Sequence, residues 1–400
     1  MTEISTDAPR TSLTLNLFER GFRPFFLLAG LHAALAIFAW VAVLQGWFDA
    51  PPSWPPTTLH AHEMIFGFAS AAVAGFLLTA VPSWTGSGPV RGWRLVALVL
   101  VWLAGRGAAF AGADAKVFAV LDLAFIPALL GCVAPGIVAR NLSRNGVVVV
   151  LLCLILAANV GVHLAVLGAP WVSARWGNEL GLAIFILLIA IIGGRIVPPF
   201  TVGGMRMAGR PVEIKPTPSL DRAAMIATAA WASTLALDLP DAAVGAAAGL
   251  AALANGARLL RWRSLQTIRV PLVWVLHLGY GWLVVGLALT AGAWFADLWP
   301  KAAALHALGA GAVATMILAV ISRASLGHTG RRLEAGRWTV ASYALVSLGA
   351  LGRAAGSVIA GWPMQHVLAG SGILWAAGFA LFSVVYAPIL LRRRVDGRPG

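Results

Sequence analysis

Charged residues are scarce in this 400-residue sequence, at 11%, and acids are scarcer than bases, with 15 Asp and Glu against 29 Lys and Arg. So little charge beside 60% hydrophobic residues cannot cover a water-soluble domain of this length. Soluble enzymes, secreted disulfide scaffolds and disordered tails are thereby excluded. Only two cysteines occur, Cys132 and Cys153, both inside apolar runs. Neither a disulfide framework nor a zinc knuckle is available, and two buried spectator thiols are expected. CxxCH, Walker, Rossmann and hydrolase motifs are missing, as is the alternation of a β-barrel. The first twenty residues carry acids and hydroxyls and no apolar run behind a basic start, so no cleavable signal is expected.

Apolar runs of spanning length are abundant. A hydrocarbon core of roughly 30 Å needs about 20 apolar residues per helix. Twelve stretches qualify, near 22–45, 60–82, 93–112, 116–138, 146–168, 177–200, 221–238, 240–260, 270–290, 300–321, 338–360 and 365–391. The expectation is an all-α integral membrane protein, residues 1–400 forming a single twelve-helix transmembrane domain. With a cytoplasmic N-terminus, the inside segments collect most of the basic residues, from Arg10, Arg20 and Arg23 through Arg206 and Arg331 to Arg392, Arg393, Arg394 and Arg398. Outside loops hold only Lys116, Arg175 and Lys301. That asymmetry predicts both termini in the cytoplasm. It also assigns the formal charge of +14 to anionic lipid, with no nucleic acid partner.

Repeats are visible at polar and aromatic positions. A shift of about 116 residues carries Glu63 onto Glu179, Pro82 onto Pro198 and Thr85 onto Thr201. A shift of about 245 carries Leu31-His32 onto Leu276-His277, Trp54-Pro55 onto Trp299-Pro300 and, one residue later, His60 onto His306. Gly105-Arg106 meets Gly352-Arg353 at a nearby shift. Three parallel modules, about 22–138, 146–260 and 270–391, arranged around an axis along the membrane normal would make helices 2, 6 and 10 equivalent.

Ionisable side chains in hydrocarbon are costly and mark functional candidates. His60 and His62 open helix 2 at the outer face, where His306 opens helix 10, while His32 and His277 lie deeper in helices 1 and 9. Imidazole is a common transition-metal ligand, so His32, His60, His62, His277, His306 and His328 are candidate metal ligands. Two positions of a helix turn through about 200°, so His60 and His62 face different neighbours, as on a helix standing between two centres. Alternatively the first turn is unwound and both rings converge on one copper. Glu63 is a candidate to orient a ligand ring or relay protons, against the plainer role of an interfacial carboxylate. Arg106, Arg195 and Arg353 are candidates for haem propionates or for snorkelling to the boundary. Tyr280, three residues after His277, is either a proton donor or a core tyrosine. Asp122 is a lone carboxylate in helix 4 with no assigned partner. The basic stretch ending helix 10 at His328 reads equally as a helix cap with a lipid-facing loop.

The blocks His60-Ala-His-Glu-Met-Ile-Phe-Gly-Phe68, Gly194-Arg195-Ile-Val-Pro-Pro-Phe-Thr201 and Ser322-Arg-Ala-Ser-Leu-Gly-His-Thr-Gly-Arg331 resemble the signature of the NnrS family. So does Phe18-Glu-Arg-Gly-Phe-Arg-Pro-Phe-Phe26. The resemblance implies a haem- and copper-containing bacterial inner-membrane protein of the nitric oxide response. The three-module reading also resembles the main subunit of haem-copper oxidases, although helix 6 here has no histidine. The expected function is a haem b and copper protein that binds nitric oxide in nitrosative stress defence or denitrification, with a reductase-like oxidoreductase turnover left open. Its electron donor would be a quinol or a small cytochrome. A secondary transporter and a haem-based sensor without turnover are the competing expectations.

Overall fold

The computed structural model describes residues 16–140, 142–359 and 363–397. The first fifteen residues, Arg10 among them, and Arg398 therefore lie outside the described residues, as does the expectation of no cleavable signal. All twelve expected stretches are helical, and no strand occurs among the described residues. They are α1 (Phe22–Leu44), α2 (Pro56–Thr85), α3 (Trp93–Phe110), α4 (Ala115–Arg140), α5 (Leu142–Val166) and α6 (Ala174–Met207). The second half comprises α7 (Pro218–Ala236), α8 (Asp241–Leu260), α9 (Pro271–Phe295), α10 (Lys301–His328), α11 (Arg337–Gly356) and α12 (Met364–Leu391).

Ten of these are long and apolar enough to cross a membrane, rather than the expected twelve. The two that fall short are α7 and α11. The first carries Asp221 and Arg222 near its start and Thr228, Ser233 and Thr234 further on, and the second carries Thr339, Ser342, Ser347 and Arg353. Both nonetheless pack within the bundle, α7 against α6 and α8, α11 against α10 and α12.

Neighbours in sequence are mostly neighbours in space, and α12 closes the ring by packing on α1. Inside that ring stand α2, α6 and α10, the three most buried spans, in mutual contact. Two of them are locally unwound to the wider π geometry, over Glu63–Ala69 in α2 and Ala307–Val313 in α10. These segments occupy corresponding places in the sequence repeat, and neither was foreseen. A π segment swings the following side chains relative to a regular helix and is frequent at functional sites.

One end of the bundle gathers the start of α1, the ends of α2, α10 and α12, and the basic residues on them. Arg23, fully buried, donates through Nη1 to the carbonyls of Leu390 and Arg392, both at 2.7 Å. Arg140 donates to the carbonyls of Thr85 and Gly86, and Arg394 to that of His328. Gly86 caps α2 at φ 67°, in the left-handed region that glycine reaches without strain. The thiols differ from expectation: Cys132 is half-buried and Cys153 is exposed on the bundle surface.

Small residues set how closely the helices approach. A methyl group at Gly349 of α11 would stand 2.7 Å from the carbonyl oxygen of Ser371 and 2.8 Å from the amide of Trp375. Gly349→Val should therefore lower unfolding stability by about 1–3 kcal/mol, because the clash is with backbone that cannot move aside. Gly203→Ala, where a methyl meets nothing within 4 Å, should cause no loss. Thermal unfolding in detergent measures both.

Candidate functional site

The short helical turn Pro56–His62 at the start of α2 is regular, which rules out the unwound alternative and sends its two imidazoles to opposite sides. His60 lies face to face with Trp40 of α1, ring centroids 4.6 Å apart and planes 12° from parallel. Across from it stands His306 of α10, ring centroid 6.5 Å away and tilted by only 14°. The Nδ1–H of His306 donates to the carbonyl of Ala302 at 2.7 Å, which leaves Nε2 as a bare lone pair. His60 Nδ1 is buried without a partner. The guanidinium of Arg353 acts electrostatically on both rings and hydrogen-bonds Ser357. A cleft of about 390 Å³ runs along this side, walled by Trp40, Phe48, Leu59 and Phe110, with His60 and Glu63 among its lining. That volume lies in the range of small-molecule sites.

His62 faces the other way and is fully buried. Its Nδ1 donates to Glu63 Oε1 at 3.0 Å, while its Nε2 lies 3.2 Å from Asp122 Oδ2 and 2.9 Å from Asn159 Oδ1. Asp122, expected to stand alone, is the hub of the cluster. Its Oδ2 also meets His163 Nε2 at 3.0 Å and accepts from Asn159 Nδ2 at 2.7 Å. Arg106 bridges the two carboxylates, pairing with Glu63 Oε1 and Asp122 Oδ1. His62, Asp122 and His163 bring three donor atoms within 4.8 Å of one another, a spacing that could hold a metal ion. Trp54 and Phe118 pack edge-on or tilted against both imidazoles and keep the cluster dry.

His32 joins the same group from α1, with Nε2 3.3 Å from both the backbone carbonyl and Oε2 of Glu63. Gly67 makes this closure possible. A methyl there would stand 2.6 Å from His32 Nε2 and 2.9 Å from Arg106 Nη1. The π segment places this glycine, and its carbonyl accepts from Trp102 Nε1 at 3.2 Å.

The other candidates lie elsewhere. His277 does not meet His32: its Nε2 bonds Thr201 Oγ1 at 2.8 Å and its Nδ1 bonds Ser264 Oγ at 2.9 Å. Tyr280 donates to Asn255 Oδ1 at 2.5 Å and accepts from Arg258, whose guanidinium pairs with Asp221, so it shares no partner with Glu63. Arg195 is exposed and reaches Asn145 at 3.3 Å and the carbonyl of Arg144 at 3.5 Å. His328 lies against Phe22 at the end of α10, away from the other imidazoles. Asn159 and His163 were not singled out as site residues. Their four-residue spacing on α5, two polar groups on one face of an apolar helix, was the available signal.

The fold and the cluster define a polytopic helical membrane protein with buried imidazole and carboxylate groups gathered in one half of the bundle. The chain belongs to the NnrS family, whose profile, described as NnrS protein, matches residues 16–394. No curated protein matches it. Membership supports a nitric-oxide-related membrane protein.

Breaking a buried ion cluster by removing one partner strands the opposing charges. Arg106→Leu, which leaves Glu63 and Asp122 without their common cation, should cost about 3–5 kcal/mol of stability. Arg195→Leu, at an exposed site, should cost less than about 1 kcal/mol. Equal losses in chemical denaturation of the two variants would contradict this arrangement.

Proposed function

We propose that the chain is a haem b and copper protein of the bacterial inner membrane that takes up nitric oxide, with reduction as the turnover. The observation that carries the reading is the pair His60 and His306. They come from two central helices, their rings are near-parallel and 6.5 Å apart between centroids, and the Nε2 of His306 is unprotonated. His60 and His306, two imidazoles held across a gap beside an apolar cleft, would hold one haem. Arg353, whose charge reaches both rings, would be the partner of a propionate. Arg106 is already engaged by two carboxylates, and Arg195 is remote from this pair. When bound, haem supplies one-electron redox chemistry and copper an ion able to take a neutral diatomic.

The chain's own residues supply the remaining requirements. The cleft walls of Trp40, Phe48 and Phe110 offer an apolar approach that excludes water and admits a small neutral molecule. Glu63 lines that cleft, touches both His32 and His62, and is the group through which protons would be held near the site. Electrons would come from a quinol or a small cytochrome. The mutual contact of α2, α6 and α10, with π segments in two of them, supports three parallel modules like those of haem-copper oxidase main subunits. The clustering of Arg23, Arg140 and Arg394 at the end that holds both described termini supports a cytoplasmic orientation for that end.

Purified protein should show a haem b spectrum of a low-spin, two-imidazole type. His306→Ala should lose or convert that spectrum, whereas His277→Ala, at the Thr201 and Ser264 site, should keep it. A colourless wild-type protein, or an unchanged spectrum in His306→Ala, would overturn the reading.

A further inference from the structure

The hydrogen-bonding pattern around His62 has too many acceptors. Arg106 and the Nδ1–H of His62 both point at Glu63 Oε1. In neutral imidazole the other nitrogen is then a lone pair. His62 Nε2 faces two oxygens, Asp122 Oδ2 at 3.2 Å and Asn159 Oδ1 at 2.9 Å. The amide of Asn159 cannot turn to relieve this, because its Nδ2 is already committed to Asp122 Oδ2 at 2.7 Å. His163 brings a further nitrogen to the same carboxylate oxygen at 3.0 Å. One guanidinium serves both carboxylates, Glu63 and Asp122, inside a cage of Trp54 and Phe118. Donor atoms of His62, Asp122 and His163 within 4.8 Å of one another, with Asn159 Oδ1 2.9 Å from His62 Nε2, converge in a buried pocket as a ready donor set for a cation.

We infer that His62 Nε2, His163 Nε2, Asp122 Oδ2 and Asn159 Oδ1 are the ligand set of a single divalent transition-metal ion. The inference rests on the reading of the chain as a metalloprotein and gives its non-haem ion a place separate from His60 and His306. Two imidazoles, one carboxylate and one amide oxygen form a sulfur-free set suited to a divalent rather than a monovalent ion. Copper(II) heads the affinity order for such donors. Glu63 holds the far nitrogen of His62, and Arg106 holds the outer oxygen of Asp122, the supporting contacts that fix metal-binding rings and carboxylates. His163 Nδ1, buried without a partner, carries the ring proton when Nε2 is the ligand. The rings of His62 and His163 cross at 81°, so both approach one ion without stacking.

The test is copper(II) titration of the purified full-length protein, followed by metal analysis and electron paramagnetic resonance. Wild type should take up one copper(II) with nitrogen hyperfine structure from two imidazoles. His163→Ala should lose that signal and weaken binding at least about tenfold, and Glu63→Gln should weaken it about 10–100-fold. The haem spectrum is the control for folding, and it should survive in His163→Ala. If His163→Ala does not fold, the wild-type hyperfine pattern alone decides. Haem-loaded wild type that binds no copper(II), or binds it with the same nitrogen pattern after His163→Ala, overturns this site while leaving the haem reading intact. Copper bound with the expected pattern in a protein that never takes up haem overturns the haem reading and leaves this site standing.

Discussion

The bridge that Arg106 makes between Glu63 and Asp122 is the constraint from which the rest of the site follows. Three charged groups with side chains more than nine-tenths buried cannot persist in an apolar bundle unless each satisfies another. Once Arg106 is fixed between them, Glu63 can accept from His62, and Asp122 can collect Asn159 and His163. Helices α2, α3, α4 and α5 are thereby tied through side chains, not only through shape. The π segment beginning at Glu63 belongs to the same constraint, since it brings Gly67 under His32 and Arg106 where any side chain would clash.

That bridge also separates the two faces of α2. On one face the cluster is closed, dry and rich in hydrogen bonds. On the other, His60 stacks on Trp40 and looks across a gap to His306 beside an open cleft. One helix turn thus serves two environments of different polarity, and two residues of sequence are enough to change from one to the other. Glu63 is shared: its carboxylate belongs to the closed cluster, and part of it lines the cleft.

Much of this was legible in the sequence because hydrocarbon imposes strong rules. Runs of apolar residues fixed the places of all twelve helices, and the opposed directions of His60 and His62 followed from helical rotation alone. The correspondence of His60 with His306 emerged from the repeat, and the two rings do face each other. What stayed hidden depended on side-chain packing between helices distant in sequence. Asp122 looked isolated because its partners lie on α2, α3 and α5. His277 matched His32 in the repeat yet found Thr201 and Ser264, since local hydroxyls, not the repeat, decide what a ring bonds. The π segments carry no composition signal distinct from ordinary helix, and the polar side chains of α7 and α11 place those helices below the apolarity that the other ten reach.

The central claim is that neighbouring imidazoles on one helix turn serve separate centres. The most direct measurement is the haem and metal content of His60→Ala and His62→Ala prepared side by side. The account predicts complementary losses: His60→Ala loses the haem spectrum and retains the non-haem ion, and His62→Ala does the reverse. Loss of the same group in both variants would contradict it.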